Sequence, residues 1–302
     1  MKLFKPSKKT FILGFFFGFL SLALNGQSFL NFTHENDIFF SDNYYTSGIF
    51  LRYGEQVETN VSNSLKTYRL FELGQEIYTP DNTTSIDYRD YDYPFGGWLY
   101  LKYTAQKEIK ENTQIEYGIQ MGVTGDWSMA RWLQNTLHRN FFGMKVNSWE
   151  HQIPESIHVN VFAGRFDQIK ILNRVWLLNN LYSCFGTQRI ALGNRVGINI
   201  GNGFVLPLGE NRLFFHNNKI GAYFGANTSF VLYDHMLSGS LYENNARFTA
   251  KSIPFRVIFE AGVTLQGSNW KAMLLYNQRS RDTSFQPIKR FNYLTMSLSY
   301  LF

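Results

Sequence analysis

The sequence predicts an all-β fold: a single-chain transmembrane antiparallel β-barrel of about twelve strands, with a short helix in an extracellular loop. Three observations lead there. Segments of about ten residues alternate apolar and polar side chains along most of the chain, as strands do when one face meets lipid and the other a polar lumen. Aromatic residues make up 18% of the 302 residues while the mean hydropathy stays slightly negative at −0.23, a pairing that fits aromatic girdles better than a soluble core. No stretch is apolar for the roughly 20 residues a spanning helix needs, so the crossing elements must be strands, which satisfy their backbone groups sideways.

The first segment stands outside that fold. Residues 1–26 combine a basic start (Lys2, Lys5, Lys8, Lys9), an apolar run from Phe11 to Leu24 and a small-residue site near Gly26, the pattern of a cleaved secretory signal. Residues 27–302 are expected to form one domain, the barrel. Strands are expected at 28–35, 45–56, 66–78, 95–107, 113–124, 157–170, 175–187, 190–202, 219–233, 253–266, 269–279 and 290–302.

The strand faces follow from the cost of charge in lipid. From Gln114 to Val123, Ile115, Tyr117, Ile119, Met121 and Val123 alternate with Gln114, Glu116, Gly118, Gln120 and Gly122. A carboxylate on the lipid side is very costly, so Glu116 and its face belong to the lumen. Ile190, Leu192, Val196, Ile198 and Ile200 likewise face outward against Gly193, Arg195, Gly197 and Asn199, and Phe259, Ala261, Val263 and Leu265 against Glu260, Gly262, Thr264 and Gln266. The last strand sets Leu294, Met296, Leu298, Tyr300 and the terminal Phe302 outward, a close that resembles the C-terminal signature of bacterial outer-membrane barrels. A soluble sandwich or lipocalin-like barrel also alternates. Soluble strands, however, rarely oppose so many outward aromatics to inward glycine and charge.

The formal charge of +6 overstates the basicity, because removing the four signal lysines from 29 basic residues leaves 25 against 23 acidic ones. A nucleic-acid partner thereby loses its electrostatic support. A single cysteine, Cys184, excludes an intrachain disulfide and a multi-cysteine metal site. The chain is expected to act as a monomer.

With the N-terminus in the periplasm, connections after odd-numbered strands face outward. Three of these are rich in polar chemistry: 36–44, 79–94 and 125–156. The first holds Asn36, Asp37 and Asp42, just after Glu35; Asn36 and Asp37 taken alone read equally well as turn formers. The third holds a helical candidate from Trp127 to Phe142, with Asp126 as N-cap and an end near Gly143. Gln134 and His138, four apart, share one face of it. Leu133, Leu137 and Phe141 supply an apolar stripe for leaning on the barrel rim. By itself His138 reads better as a hydrogen-bonded surface or packing histidine than as a catalytic group.

Read in order, Glu35-Asn36-Asp37, Tyr45-Thr46-Ser47-Gly48, Gln75-Glu76-Ile77-Tyr78-Thr79-Pro80, Gly97-Trp98-Leu99, Gly125 and Ser128, Gln134-Asn135 and His138, then Trp149 and Gln152-Ile153 form a set that resembles the LpxR-type lipid A deacylases of the bacterial outer membrane. The resemblance spans nearly all of 30–155; beyond that it rests on barrel strands. It implies a twelve-stranded barrel that removes the 3′-linked acyloxyacyl group of lipid A, the anchor of lipopolysaccharide, by Ca²⁺-assisted ester hydrolysis, in a manner similar to secreted phospholipase A2. On this chain His138 is then the general base that activates water, with Asn36 and Asp37 as hard oxygen donors to Ca²⁺. The cation would polarise the ester carbonyl. Thr46 and Gln134 take orienting roles, and Glu155 is a further candidate ligand.

The chain departs from the family pattern at Asp126, where proline is common, at Met144, where some members are acidic, and at Asp92-Tyr93, where an arginine can follow the aspartate. Lys102, Arg89 and Arg131 are the candidates for holding lipid phosphates. Two other functions use the same barrel: a structural or transport pore lined by Glu116, Arg195 and Glu260, and an outer-membrane phospholipase with a serine nucleophile. Ser128 lies ten residues from His138, about 15 Å along a helix, too far for direct pairing.

Overall fold

A computed structural model describes residues 28–37, 43–57, 65–143, 145–202, 219–243 and 245–302. The expected signal segment, Asp42 and Met144 lie outside the described residues. Among those described, twelve strands form one closed antiparallel barrel in which each pairs with its neighbours in sequence and the last pairs with the first. They are β1 (Ser28–Asn36), β2 (Tyr44–Val57), β3 (Thr67–Thr79), β4 (Gly96–Lys110), β5 (Thr113–Val123), β6 (Ile157–Leu172), β7 (Val175–Gly186), β8 (Arg189–Gly201), β9 (Lys219–Asp234), β10 (Phe255–Gln266), β11 (Trp270–Ser280) and β12 (Arg290–Leu301). All twelve expected strands are present, with ends within a few residues of those read from alternation. Closure leaves no unpaired sheet edge, the condition for placing strands in hydrocarbon.

The alternation predicts the faces correctly. Tyr117, Ile119, Met121, Leu192, Val196, Ile198, Phe259, Val263, Leu298 and Tyr300 are exposed on the outer wall. Their neighbours line a polar lumen that is cross-linked by hydrogen bonds and ion pairs and keeps a cavity of about 360 Å³ between Glu76, Lys102, Glu116 and Arg279. Glu72 pairs with Arg52 and accepts from Tyr100 Oη at 2.9 Å, Arg195 pairs with Glu260 at 2.9 Å, and Gln106 donates to Glu116 at 3.0 Å. Under the mouth, Tyr45, Tyr78, Tyr93, Trp98, Tyr100, Phe291 and Tyr293 pack into one aromatic cluster. Among the described residues, two helices occur in outward connections: α1 (Ala130–Leu137) and the short α2 (His235–Ser238).

The outward connections are tied to one another. Between loops 80–95 and 124–156, Ser148 N donates to Thr83 O at 2.9 Å, Ser148 Oγ to Ser85 O at 2.7 Å, Tyr91 Oη to Glu150 O at 3.1 Å, and Ile153 N to Phe95 O at 2.8 Å. Between the first loop and the second, Asn43 Nδ2 donates to Asp81 at 2.6 Å and Tyr44 Oη to Asp92 at 2.7 Å. The three polar loops therefore meet on one rim.

Candidate functional site

The expected continuous helix is broken into three turns of different pitch. A 3₁₀ turn covers Gly125–Ser128, α1 follows from Ala130 to Leu137, and a π turn runs from His138 to Phe142 and ends at left-handed Gly143. Met129 sits between the first two with φ 58°, a strained value for a residue with a side chain. Asp126 does not cap α1. Ser128 Oγ instead donates to Gly125 O at 2.6 Å and accepts from Ala130 N at 3.4 Å. That engagement also removes Ser128 as a nucleophile. His138 opens the π turn, a distortion that recurs at functional sites because it re-aims one side chain.

The helix buries an unexpected face. Leu133 and Leu137 are only half-buried, whereas Ala130, Gln134 and His138, spaced by four, are 0%, 4% and 7% exposed. A surface helix normally buries its leucines and leaves amide and imidazole in water, since burying polar groups costs free energy unless they are bonded. Here those groups are held. Trp149 Nε1 donates to Gln134 Oε1 at 2.9 Å, and His138 Nδ1 lies 3.1 Å from Lys145 O. A carbonyl can only accept, so Nδ1 carries the proton and Nε2 the basic lone pair. Asn135 staples the return segment in place, donating to Asn147 O at 3.1 Å and accepting from Asn147 N at 3.0 Å.

The wall beneath this face is the outer side of β3 and β4. Gln75 donates to Ser128 O at 2.5 Å, and Ala130 packs with Ile77, Phe95 and Trp149. Gly97 explains the close approach: a Cβ there would stand 2.1 Å from Ser128 Oγ and 2.3 Å from Ala130 Cβ. Gln75, Ile77 and Thr79 share one face of β3, and at its end Thr79 Oγ1 lies 2.7 Å from Thr46 Oγ1. Thr46 occupies a bulge in β2, between Tyr45 and Ser47, which shifts the register and places its hydroxyl on this outer side.

Asn36 and Asp37 complete the rim. Asn36 Nδ2 donates to Thr46 O at 3.3 Å, Asp37 N donates to the same oxygen at 3.3 Å, and Asn43 N donates to Asp37 Oδ2 at 2.6 Å. Tyr44 next to it has φ 66°, so a strained backbone presents these groups. Asp37 is fully buried, and Asn43 Oδ1 is buried with no hydrogen-bond partner among the described residues. Carboxylate, amide and hydroxyl oxygens of this kind suit a hard cation such as Ca²⁺, and the orphaned Asn43 oxygen is what such an ion would satisfy. Among the described residues no three histidine, cysteine or acidic side chains converge, so the donor set is mixed oxygen rather than a carboxylate cage. Burial also holds the Asp92 carboxyl above the ordinary range, although Asp81 N and Tyr44 Oη bond it.

The sequence matches the family described as outer membrane protein LpxR over residues 11–302. The chain belongs to the LpxR family. It is an outer-membrane protein. Among solved structures, LpxR from Salmonella typhimurium has 18% identity and a TM-score of 0.73, covering 91% of this chain and 100% of that one. The β domain of the Bordetella autotransporter BrkA has 12% identity and a TM-score of 0.48, covering 91% of this chain and 97% of that one. No curated protein matches the chain.

Within this LpxR-family barrel the expected site residues divide. Asn36, Asp37 and Thr46 form one hydrogen-bonded group, and Gln134 and His138 share the buried face of the helix. Glu155 has no hydrogen bond or ion pair to any of them among the described residues; it is exposed and lines a separate groove with His158 and His235. Lys102 points into the lumen over the Phe162 ring at 4.3 Å, away from any lipid phosphate. Arg89 is exposed and gripped by Asp87, whose carboxyl it draws down to about 2, while Arg131 is exposed on the helix. Thr79, Asn43 and Asn135 were missed as site residues. Thr79 and Asn135 lie inside the ordered motifs and were available there, but the contact made by Asn43 depends on the bulge.

Proposed function

We propose that this protein is a lipid A 3′-O-deacylase that hydrolyses the 3′-linked acyloxyacyl ester in the outer leaflet, with His138 as general base and Ca²⁺ held by Asn36 and Asp37. One observation carries the reading: a helix on the outer barrel wall packs Ala130 beside Ile77, on the face of β3 that ends at Thr79 and Thr46, and buries Gln134 and His138 one and two turns further along the same side. Family membership supports it. Exposed Met129 and Trp132 add an apolar and aromatic surface on the same helix, as expected beside a membrane-bound substrate.

His138 Nε2 would take the proton of the attacking water, and the Lys145 carbonyl would stabilise the imidazolium through Nδ1–H. Gln134 Oε1 is occupied by Trp149, while its amide Nε2 is buried with no partner among the described residues. That N–H would donate to the ester carbonyl as negative charge develops. Bound Ca²⁺ would supply further polarisation of the same carbonyl. The ion pairs in the lumen and the aromatic cluster under its mouth give the transport alternative little support.

A second reading has one specific observation behind it: Ser47 Oγ lies 3.4 Å from His34 Nε2 on the same outer face, a loose serine–histidine pair. The test is mass spectrometry of lipid A from cells expressing each variant. The wild type should remove the 3′ acyloxyacyl mass, His138→Ala should leave it, and Ser47→Ala should remove it. Activity surviving in His138→Ala, or lost in Ser47→Ala, would reject the histidine mechanism.

A further inference from the structure

On the β6–β9 side of the mouth, across the barrel from β1–β3, a cavity of about 350 Å³ is lined by Trp127, Glu155, Ser156, Ile157, His158, Thr187 and the β9–α2 segment through Glu243. None of its residues belongs to the proposed hydrolytic site. His158 and His235 make up part of its wall, with ring centroids 4.1 Å apart and exposures of 4% and 1%. His158 is satisfied, with Nε2 3.5 Å from Thr124 Oγ1 and Nδ1 3.3 Å from Thr187 Oγ1.

His235 is not. Tyr233 Oη gives its proton to Gly239 O at 2.7 Å, so at 3.2 Å it can only accept from His235 Nδ1. This network assigns the proton to Nδ1 and leaves Nε2 as a lone-pair acceptor. Nε2 is buried and has no partner among the described residues.

The rest of the groove is matched to one kind of ligand. Glu155 and Glu243 add carboxylate acceptors, so a ligand must bring donors, and the negative charge disfavours phosphorylated or acidic groups. Trp127 and Tyr242, 55% and 83% exposed, offer aromatic faces, with Leu241 and Ile157 beside them. A divalent ion is poorly served, because both nitrogens of His158 face hydroxyls and no three-ligand cluster forms among the described residues. A pyranose fits: its C–H face lies on an aromatic ring and its hydroxyls donate to imidazole and carboxylates.

We propose that this groove is a saccharide subsite that takes a neutral or amino sugar from the headgroup of an outer-leaflet glycolipid. The extracellular mouth of an outer-membrane barrel stands among such headgroups. The assignment does not depend on the hydrolase reading.

Saturation-transfer NMR on the full-length barrel in detergent tests it, with lipid-free core oligosaccharide from lipopolysaccharide, dephosphorylated and carboxyl-reduced so that it is uncharged, as probe and chitotriose as the free-glycan control. Ring protons of the core oligosaccharide should receive saturation, and affinity should fall at least tenfold in Trp127→Ala/Tyr242→Ala and in His235→Phe. The two exposed aromatics can be removed without disturbing the fold, so the double variant is informative even if His235→Phe folds poorly. His138→Ala should bind as the wild type does, which separates this site from the hydrolytic one. No transfer to either glycan, transfer to chitotriose alone, or unchanged affinity in the double variant would overturn the proposal.

Discussion

Replacing Gly97 by alanine tests whether the helix must lie directly on the barrel wall. The added Cβ would stand 2.3 Å from Ala130 Cβ and 2.1 Å from Ser128 Oγ. Carbon–carbon contacts settle at about 3.5–4.0 Å, so the start of α1 must retreat by about 1.2–1.7 Å. The β4 backbone is held on both sides by β3 and β5, so the helix yields rather than the strand. Misplacing a catalytic group by about 1 Å can cost about 10²-fold in rate, or about 2.7 kcal/mol of activation free energy. Deacylation followed by mass spectrometry on purified lipid A should therefore fall by about two orders of magnitude. Heat-modifiable migration in SDS gels, which reports a closed barrel, should be unchanged. Full activity in Gly97→Ala would refute the claim that the wall positions His138, and loss of the folded barrel would refute the claim that the helix is the part that gives way.

Other perturbations probe different links. Asn135→Ala removes both bonds to Asn147 and loosens the segment that delivers Lys145 O to His138; kcat should drop about 10–100-fold with little change in KM, read from initial rates. Asp37→Ala should abolish the dependence on added Ca²⁺ together with activity, whereas the wild type should lose activity in chelator and regain it with Ca²⁺. Asp282 is fully buried and pairs with Arg279 at 2.9 Å and Arg256 at 3.2 Å; Asp282→Ala leaves two guanidiniums short of a partner and should lower unfolding free energy by about 3–5 kcal/mol in urea. Burial draws His235 down to about 4 from an ordinary 6.5, only partly offset by Asp234. The unfolded chain then binds more protons between those values, so this contribution to stability is present above about pH 6.5 and is lost as pH falls toward 4. Hydrogen exchange in 235–243 should accelerate over that window, and His235→Phe should remove the dependence.

The barrel is legible in the order of residues alone. Twelve strands and their lumenal faces follow from period-two alternation, because a carboxylate such as Glu116 or Glu260 cannot face lipid and every backbone group in hydrocarbon must find a lateral partner. The sequence also put Asn36, Asp37, Thr46, Gln134 and His138 in the order of one family. Tertiary structure decided which of these meet. The stripe of Leu133, Leu137 and Phe141 predicts a helix resting on leucines, but the folded loop buries Gln134 and His138, since the contact at Gly97 and the Trp149 and Lys145 partners together outweigh a local apolar stripe. Glu155 follows its motif in sequence yet lies on a different groove, because the return of the chain past Pro154 carries it toward β6. The bulge at Thr46 and the left-handed Tyr44 have no local signature, and they set the rim geometry because backbone strain there is offset by contacts with loops far away in sequence.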